Sequence, residues 1–446
     1  MRKDTIDINL LDPSFPSLSM KSGLVSRLVC LLCYAWLSHS LAEVEAPSQT
    51  KPRVPLSVSG RWIVDTTGQR VKLRCINWAG HLEVNMPEGL HRQSVEHTAD
   101  WIASQGFNCV RLTYSIDMAL QPDVTVEDSF HRAAKAAGVD DMAMMRLHSQ
   151  AVDKNPFLAR GGVTILDVFD QVQSALWHRG IMTVLDNHVS RASWCCDLGD
   201  GNGWWKEAPL YMAENSRFFD KGQWQTGLAK MAAWSRSRPG IVGLSLRNEL
   251  RASVTQLLFA PETWLRYMPV AARMVHSANP DALIIVGGIN GGTDLSPLRL
   301  RAMDDSGWRT KRVWEAHSYS FTVTTPNFGI CPLLQAEYGG LYGFVLEQHR
   351  PYTGPLFLSE FGVDMTGGPR HGLSDKDTRF LDCLAGYMAG NDADWALWAI
   401  QGSYYVRGKT VDYNETWGAL DYEWRDWRNP SFKAKLGRML GVTQGP

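Results

Sequence analysis

The sequence lacks the features typical of nucleic-acid-binding proteins, membrane-anchored proteins and repeat proteins. Of its 446 residues, 45 are Lys or Arg and 46 are Asp or Glu, so the formal net charge is −1. This balance excludes the basic footprint typical of nucleic-acid-binding proteins. The apolar run near the amino terminus, residues 28–37, is about half the length of a membrane span, so a transmembrane anchor is not indicated. There is no repeat of short period and no low-complexity segment.

Cysteine is scarce, and its spacing is not that of a structural metal site. Outside the amino-terminal segment no two cysteines have the CxxC spacing typical of structural zinc sites, so none is predicted. Two of the eight cysteines, Cys30 and Cys33, lie in that segment. The other six are Cys75, Cys109, Cys195, Cys196, Cys331 and Cys383. An even number is typical of disulfides in an oxidising compartment, but the sequence leaves all possible pairings open.

The amino terminus has the pattern of a targeting segment. Lys21 and Arg27 precede the apolar run, and Ser40-Leu41-Ala42 carries small residues where a signal peptidase cleaves. Residues 1–42 are therefore predicted to be an extension plus signal peptide, with Met20 as an alternative start. Cleavage would give a protein secreted outside the cell or into the cell wall, without stable membrane association. Residues 43–56 are predicted to be a linker and 57–446 a single domain.

Strand-like and helix-like segments alternate along the rest of the chain. The predicted strands are 71–76, 107–112, 181–185, 241–246, 283–286, 313–316, 355–358 and 395–400. The predicted helices lie near 94–105, 162–179, 222–237, 262–279, 334–350 and 375–390. Such alternation indicates parallel βαβ units, and eight of them predict an α/β fold of the (β/α)8 TIM-barrel type. A hairpin formed by 62–64 and 71–76 is predicted to precede the barrel.

One connection is longer than an ordinary loop between a strand and a helix. Residues 117–160 follow the second predicted strand, and their Ala- and Met-rich middle suggests helical pieces. We interpret this insertion as part of the wall or lid of a site, with a plain surface insertion as the alternative.

Polar, titratable or aromatic residues follow nearly every predicted strand. In a barrel of this type the carboxyl ends of the strands carry the active site, so these side chains are expected to meet at one face. The candidates are Asn77, Trp78, Arg111, His188, Asn248, Glu249, His317, Tyr319, Glu360 and Trp398.

Two of the candidates, Glu249 and Glu360, are carboxylates on the fourth and seventh strands, which we expect on opposite sides of the barrel. A pair of carboxyl groups is the equipment for glycosidic cleavage, in which one protonates the leaving oxygen and the other attacks the anomeric carbon or activates water. Arg111 and Tyr319 are suited to holding a carboxylate ionised, and Asn248 to bonding a sugar hydroxyl.

Together these residues resemble glycoside hydrolase family 5, the cellulase–mannanase family of retaining barrel enzymes. The resemblance extends from about Gly60 to Leu420 and implies that Glu249 is the general acid/base and Glu360 the nucleophile. The amino-acid sequences of segments 185–203, 245–251 and 355–364 resemble those of the plant secreted cellulase-like members. Ser318 stands where many of those relatives have Trp, which removes an aromatic ring near the site.

Three other hypotheses remain at this level. A metallohydrolase would use Asp186, His188 and His317, but the His-x-His expected after the first strand is absent. A carbohydrate-binding protein without catalysis would need no intact pair of carboxylates. A transglycosylase would keep the same site and pass the sugar to another acceptor.

The expected ligand is a β-linked oligo- or polysaccharide of the cellulose, β-glucan or mannan type, and the sequence does not choose among them. No metal, no organic cofactor and no nucleic acid is expected as a partner, and the protein is expected to be a monomer. Trp78, Trp194, Trp204 and Trp205 are candidates for stacking on sugar rings, with a place in the core as the alternative.

Overall fold

The structure, a computed structural model, describes residues 51–321, 330–367 and 372–446. The predicted extension and signal peptide, 1–42, and most of the predicted linker lie outside these residues. In the described ranges, no helix has both the length and the apolar character needed to span a bilayer.

Eight parallel strands form a closed barrel preceded by a small hairpin. The hairpin strands are β1 (Ser57–Ser59) and β2 (Trp62–Val64), which pair antiparallel. The barrel strands are β3 (Arg74–Trp78), β4 (Cys109–Ser115), β5 (Met182–Val189), β6 (Ile241–Ser245), β7 (Leu283–Gly287), β8 (Arg312–Ser318), β9 (Leu356–Phe361) and β10 (Asp394–Leu397). They are hydrogen-bonded in chain order, and β10 closes the ring against β3.

Helices connect these strands and cover the outside of the barrel. They are α1 (Val95–Ser104), α2 (Ile116–Leu120), α3 (Val126–Ala137), α4 (Asp141–Lys154), α5 (Ile165–His178), α6 (Ala213–Ser216), α7 (Lys221–Ser235), α8 (Ala260–Ala278), α9 (Ile289–Gly292), α10 (Pro297–Leu300), α11 (Cys331–Leu341), α12 (Asp375–Asn391) and α13 (Phe432–Leu440). Several begin at a side-chain cap; at α5 the Thr164 and Asp167 side chains form a capping box.

The predicted (β/α)8 barrel and all eight strand positions are confirmed, but the amino-terminal hairpin differs from the prediction. The segment 62–64 pairs with β1 and touches the following segment only through an isolated bridge between Val64 and Arg70. The tight turn at Gly60, whose φ is +57°, allows β1 to be the nearer partner. Leu56 is fully buried below the barrel, so the compact part includes a residue assigned to the linker.

The interior of the barrel is apolar at the amino ends of the strands. Side chains of Cys75, Cys109, Val184, Val313 and Phe357 fill this layer, together with residues of the other strands. Because side chains alternate with period two along a strand, the residue two positions later faces the same interior one layer higher. This geometry determines which residues form the floor of the site.

The insertion after the second strand is helical, as predicted, and consists mainly of α2, α3 and α4. Its Phe130 packs edge-on against Tyr405, with ring centroids 5.1 Å apart. Tyr405 lies on β11 (Ser403–Arg407), which pairs with β12 (Thr410–Asn414) in a hairpin beyond the last barrel strand. In the part of the chain that the structure describes, the insertion therefore supports this hairpin and contributes no residue to the central cleft.

The six cysteines outside the amino-terminal segment form three disulfides. Cys75 pairs with Cys109 across neighbouring strands, and Cys331 pairs with Cys383 between α11 and α12. The third disulfide joins the adjacent residues Cys195 and Cys196. These three pairings are one of the arrangements that the sequence left open.

Candidate active site

A layer of buried polar side chains lies directly above the apolar interior. Its members are Asn77, Arg111, Asp186, Ser245, Glu315 and Ser359, all 0–1 % exposed. Each follows by two positions a residue of the apolar interior or, for Ser245, the glycine Gly243. The alternation of the strands thus directs these polar groups inward, beneath the face where the candidate residues meet.

Arg111 is the centre of this layer and contacts carboxylates of three strands. Its Nη1 donates to Glu360 Oε1 at 2.7 Å, and its Nη2 donates to Glu315 Oε1 at 2.8 Å. Nη2 is also 2.8 Å from Asp186 Oδ1. Burial alone would lower the pKa of Arg111, but the three carboxylates raise it above its ordinary value. The guanidinium therefore stays charged, which allows several carboxylates to share one buried space.

Glu360 is held at the end of β9 by two donors. Besides Arg111, the Tyr319 hydroxyl donates to its Oε2 at 2.9 Å. Burial raises the pKa of the Glu360 carboxyl, the charges of His317 and Arg111 oppose that rise, and the nearby Glu249 carboxylate adds to it. The side chain is 5 % exposed, so one edge of the carboxylate faces the cleft.

Glu249 lies just beyond β6, where the backbone turns sharply. Its φ of 36° is in the left-handed region, which non-glycine residues seldom adopt. Arg251 Nη1 donates to the Glu249 carbonyl at 2.8 Å and braces this turn. The side chain is 17 % exposed, and His317 Nδ1 lies 3.1 Å from its Oε1.

His317 connects the two candidate catalytic carboxylates. Its Nδ1 is 3.1 Å from Glu249 Oε1 and 3.5 Å from Glu360 Oε2. Desolvation lowers the pKa of His317, but the charges of Glu360, Glu249 and Glu315 outweigh it and raise this pKa to about 10. The imidazolium form at neutral pH places a positive charge between the carboxylates.

His188 and Asn248 form a neutral arm on the other side of Arg111. His188 Nδ1 contacts Asp186 Oδ2 at 2.7 Å, and its Nε2 accepts from Asn248 Nδ2 at 3.2 Å. Burial lowers the pKa of His188 well below its ordinary value, and nearby cations lower it further. Arg111 Nη2 donates to Asn248 Oδ1 at 3.0 Å, so the amide of Asn248 is oriented from two sides.

The two carboxylates face each other across an open cleft of about 450 Å³. One oxygen of each, together with a ring nitrogen of His317, lies within 4.8 Å of the others. The strands that carry them, β6 and β9, are three positions apart around the ring, so they are not directly opposite as expected. The wider cleft includes His188, Asn248, Tyr319, Trp398, Trp194 and the disulfide of Cys195 and Cys196.

The structure places most of the predicted residues at this cleft, with exceptions among the aromatic ones. Trp398 lines the cleft and stacks on His188, with ring centroids 5.4 Å apart. Asn77 lies beneath it and accepts from Arg111 Nη1 at 2.9 Å. Trp78 instead is fully buried away from the cleft, and its indole donates to the Glu88 carbonyl. Trp204 and Trp205 are also core residues, packed in an aromatic cluster.

Several residues of the site had not been singled out from the sequence. Trp417, Arg407 and Glu415 come from the segment after the last barrel strand, and Phe321 follows β8. Glu315 and the serines that bond it were also missed. The signal that would have found Glu315 is its position two residues before His317 on the inward face of one strand.

Two groups of side chains are close enough to be considered as metal ligands in the described ranges. One is Glu249, His317 and Glu360, in which His317 Nδ1 lies 3.1 Å from Glu249 Oε1. The other is His188 with Cys195 and Cys196, whose sulfurs are joined in a disulfide. The set Asp186, His188 and His317 considered from the sequence is not among these groups.

Replacing Glu315 by glutamine is expected to destabilise the fold by about 3–5 kcal/mol, because it removes one partner of a buried ion pair. Arg111 and His317 outweigh desolvation and lower the pKa of Glu315 to about 2. Because this pKa is lowered in the folded protein, the Glu315 carboxylate adds to the free energy of unfolding at pH values above its ordinary pKa of 4.5. That stabilisation is lost as the pH falls towards 2. Chemical denaturation at several pH values measures the difference.

The matched control for this prediction is Glu262→Gln. Glu262 pairs with Arg301, but its side chain is 65 % exposed, so we expect a change of only about 0–1 kcal/mol. Equal effects of the two substitutions at neutral pH would contradict the importance of the buried charge.

Comparison with known proteins gives a consistent assignment. The family model described as Cellulase (glycosyl hydrolase family 5) matches residues 64–403. A glycosyl hydrolase 5 family protein from Chamaecyparis obtusa is 38 % identical over 411 residues, covering 90 % of this chain and 68 % of the relative. An endoglucanase from Paenibacillus polymyxa is 21 % identical over 399 residues, covering 85 % of this chain and 86 % of the relative.

Solved structures with the same fold include cellulases of bacteria and archaea. The catalytic domain of the major endoglucanase from Xanthomonas campestris pv. campestris has a TM-score of 0.64 at 20 % identity, covering 86 % of this chain and 99 % of that chain. The hyperthermophilic endocellulase from the archaeon Pyrococcus horikoshii has a TM-score of 0.66 at 18 % identity, covering 88 % and 100 %. The resemblance seen in the sequence is confirmed, and the chain belongs to glycoside hydrolase family 5.

Proposed function

We propose that this glycoside hydrolase is a retaining endo-β-glycosidase that cleaves β-linked glucans of the cellulose type by double displacement. In the first step Glu360 Oε attacks the anomeric carbon while Glu249 gives its proton to the leaving oxygen, and the glycosidic bond breaks. In the second step Glu249 takes a proton from water, which attacks the anomeric carbon and releases Glu360. Both substitutions invert the carbon, so the configuration is retained overall.

The observation that carries the proposal is that one carboxylate oxygen of Glu249 and one of Glu360 lie within 4.8 Å of each other. Retaining enzymes hold their carboxyl groups about 5–5.5 Å apart, whereas inverting enzymes need about 6.5–9.5 Å to admit a water molecule. The surroundings suit the two roles. Arg111 and Tyr319 bond Glu360 and fix its direction, while Glu249 is the more exposed group and has access to water.

The shape of the cleft supports a chain-like substrate bound along an open groove. Trp398 and Trp417 offer flat faces, and Phe321 stacks on Tyr319 with ring centroids 5.2 Å apart. These rings are suited to packing on the apolar faces of sugars. A P. horikoshii endocellulase variant is known in complex with cellotetraose, which makes this oligosaccharide the first ligand to test.

We also infer that the protein acts outside the cytosol. The disulfides Cys75–Cys109 and Cys331–Cys383 support this inference, because such bonds persist in oxidising compartments. The targeting pattern at 1–42 points to secretion as the route.

The proposed function is tested by following cellotetraose cleavage with proton NMR. We expect internal bonds to be cut and the first product to appear as the β-anomer, which then mutarotates. An initial α-anomer would contradict the retaining mechanism, and release of glucose alone would contradict the endo mode. Incubation with a second oligosaccharide as acceptor measures how much of the intermediate is passed to sugar instead of water.

A further inference from the structure

The disulfide between Cys195 and Cys196 lies at the cleft, beside the reacting groups. Both residues line the cleft, in the loop that follows β5, and Trp194 before them does so too. A disulfide stabilises a fold mainly by closing a loop of chain, and this effect grows with the length of the loop. Adjacent cysteines close no such loop, so this bond contributes little to folding in that way. Because the bond lies at the cleft, we expect its effect to be on the cleft itself.

The hydrogen bonds of Asn248 define what the sulfurs face. The amide nitrogen of Asn248 has two hydrogens to donate. One is accepted by His188 Nε2 at 3.2 Å. The other faces the sulfurs, with Nδ2 at 3.7 Å from Cys195 Sγ and 3.6 Å from Cys196 Sγ. Sulfur is a weak acceptor, so a sugar hydroxyl entering the cleft would bind this hydrogen more strongly.

We propose that the Cys195–Cys196 disulfide is a sugar-binding surface next to the catalytic carboxylates. A hydroxyl oxygen that accepts from Asn248 Nδ2 lies against the two sulfurs, because both are within 3.7 Å of that nitrogen. The disulfide and the peptide bond between the two cysteines close a small ring. Its sulfur side is apolar and rigid, so it packs against the carbon–hydrogen face of the same sugar. The inference rests on the proposed function, since it assigns part of the substrate's contacts in that site.

The same disulfide is linked to Glu249 through Arg251. Arg251 Nη1 is 3.5 Å from Cys195 Sγ and also donates to the Glu249 carbonyl at 2.8 Å. Arg251 Nη2 pairs with Asp200 Oδ2 at 2.7 Å, which anchors the guanidinium. Reduction to two thiols would free the sulfurs to rotate apart and remove the rigid surface. Sugar binding therefore depends on the oxidised state of the pair.

The test measures cellotetraose binding by calorimetry in the Glu360→Gln background, where turnover does not interfere. Adding Cys195→Ala and Cys196→Ala is expected to raise Kd about three- to tenfold. A phosphine reductant should raise Kd by a similar factor in the Glu360→Gln protein, and should have no further effect when both cysteines are alanine. If the alanine variant does not fold, the phosphine is applied to the protein that carries Glu360→Gln, Cys331→Ala and Cys383→Ala, and Kd should rise there by a similar factor.

The matched control carries Cys331→Ala and Cys383→Ala in the same background, because that disulfide lies outside the cleft. We expect this control to keep its Kd even if its melting temperature falls. An unchanged Kd after removal or reduction of the Cys195–Cys196 bond overturns the inference, including the case where only the melting temperature changes. If the wild-type protein does not cleave cellotetraose, both the proposed substrate and the role of the disulfide are refuted. If it cleaves cellotetraose but Kd is unchanged when the Cys195–Cys196 bond is removed or reduced, only the role of the disulfide is refuted.

Discussion

Replacing Glu360 by alanine is expected to lower kcat at least about 10⁴-fold. A positioned acid–base group contributes about 10²–10⁴-fold, and we expect the nucleophile Glu360, which forms the covalent bond itself, to contribute at least as much as the upper end of that range. Arg111 and Tyr319 bond this carboxylate directly and fix its direction. The loss is measured with cellotetraose and with 2,4-dinitrophenyl β-cellobioside, whose leaving group needs no protonation. Both substrates should lose activity, because attack at the anomeric carbon is missing in each case.

Azide provides the sharper test of this assignment. Azide bound in the space left by the Glu360 carboxylate attacks the anomeric carbon from the face that Glu360 would attack. The reaction then has a single displacement. The product should be an α-glycosyl azide, with inverted configuration, formed from 2,4-dinitrophenyl β-cellobioside. The control is Glu347→Gln, a change at an exposed glutamate whose side chain is 46 % accessible, which should leave kcat unaltered. A β-glycosyl azide from the Glu360→Ala variant would show that Glu360 is not the nucleophile.

Replacing Glu249 by alanine is expected to give a loss that depends on the leaving group. Cellotetraose cleavage should fall about 10²–10⁴-fold, because its sugar leaving group needs the proton. With 2,4-dinitrophenyl β-cellobioside the first step remains fast and the second, which needs a base to activate water, becomes slow. The glycosyl-enzyme should therefore accumulate, and mass spectrometry of the intact protein should detect it as a covalent adduct.

Azide distinguishes this variant from the previous one. It needs no base, so it should attack the accumulated glycosyl-enzyme of Glu249→Ala and restore turnover of the aryl cellobioside. Two inversions then give a β-glycosyl azide, the opposite of the product expected from Glu360→Ala. An equal loss on both substrates without any adduct would contradict the acid/base role of Glu249.

The sequence by itself determined the architecture and the identity of the main candidates. Apolar runs such as 241–246 and 283–286 are typical of buried parallel strands, and their alternation with helices indicated the barrel. Because the carboxyl ends of barrel strands meet at one face, residues as distant in sequence as Arg111, Glu249 and Glu360 could be expected together. The structure brings these three to the same cleft or its floor.

Only the tertiary structure decided which polar residues support the site and which tryptophans face it. Glu315 lies within an apolar-looking strand, and its importance comes from contacts with Arg111 and Ser359, on other strands. Trp78 and Trp398 have similar positions in the sequence pattern, yet one packs into the core and the other lines the cleft. Strand ends indicate a face, whereas the direction of a side chain there depends on neighbours that the local sequence does not contain.

The pairing of the cysteines has the same physical reason. A disulfide depends on the distance and direction of two side chains, and these are set by strand register and loop shape. Cys75 and Cys109 meet because β3 and β4 place them side by side. Cys195 and Cys196, whose pairing the sequence left open, bond to each other at the cleft, close to Asn248. The order of strand and helix patterns along the sequence thus determined the barrel. Contacts between residues distant in the sequence decided which side chains form the cleft.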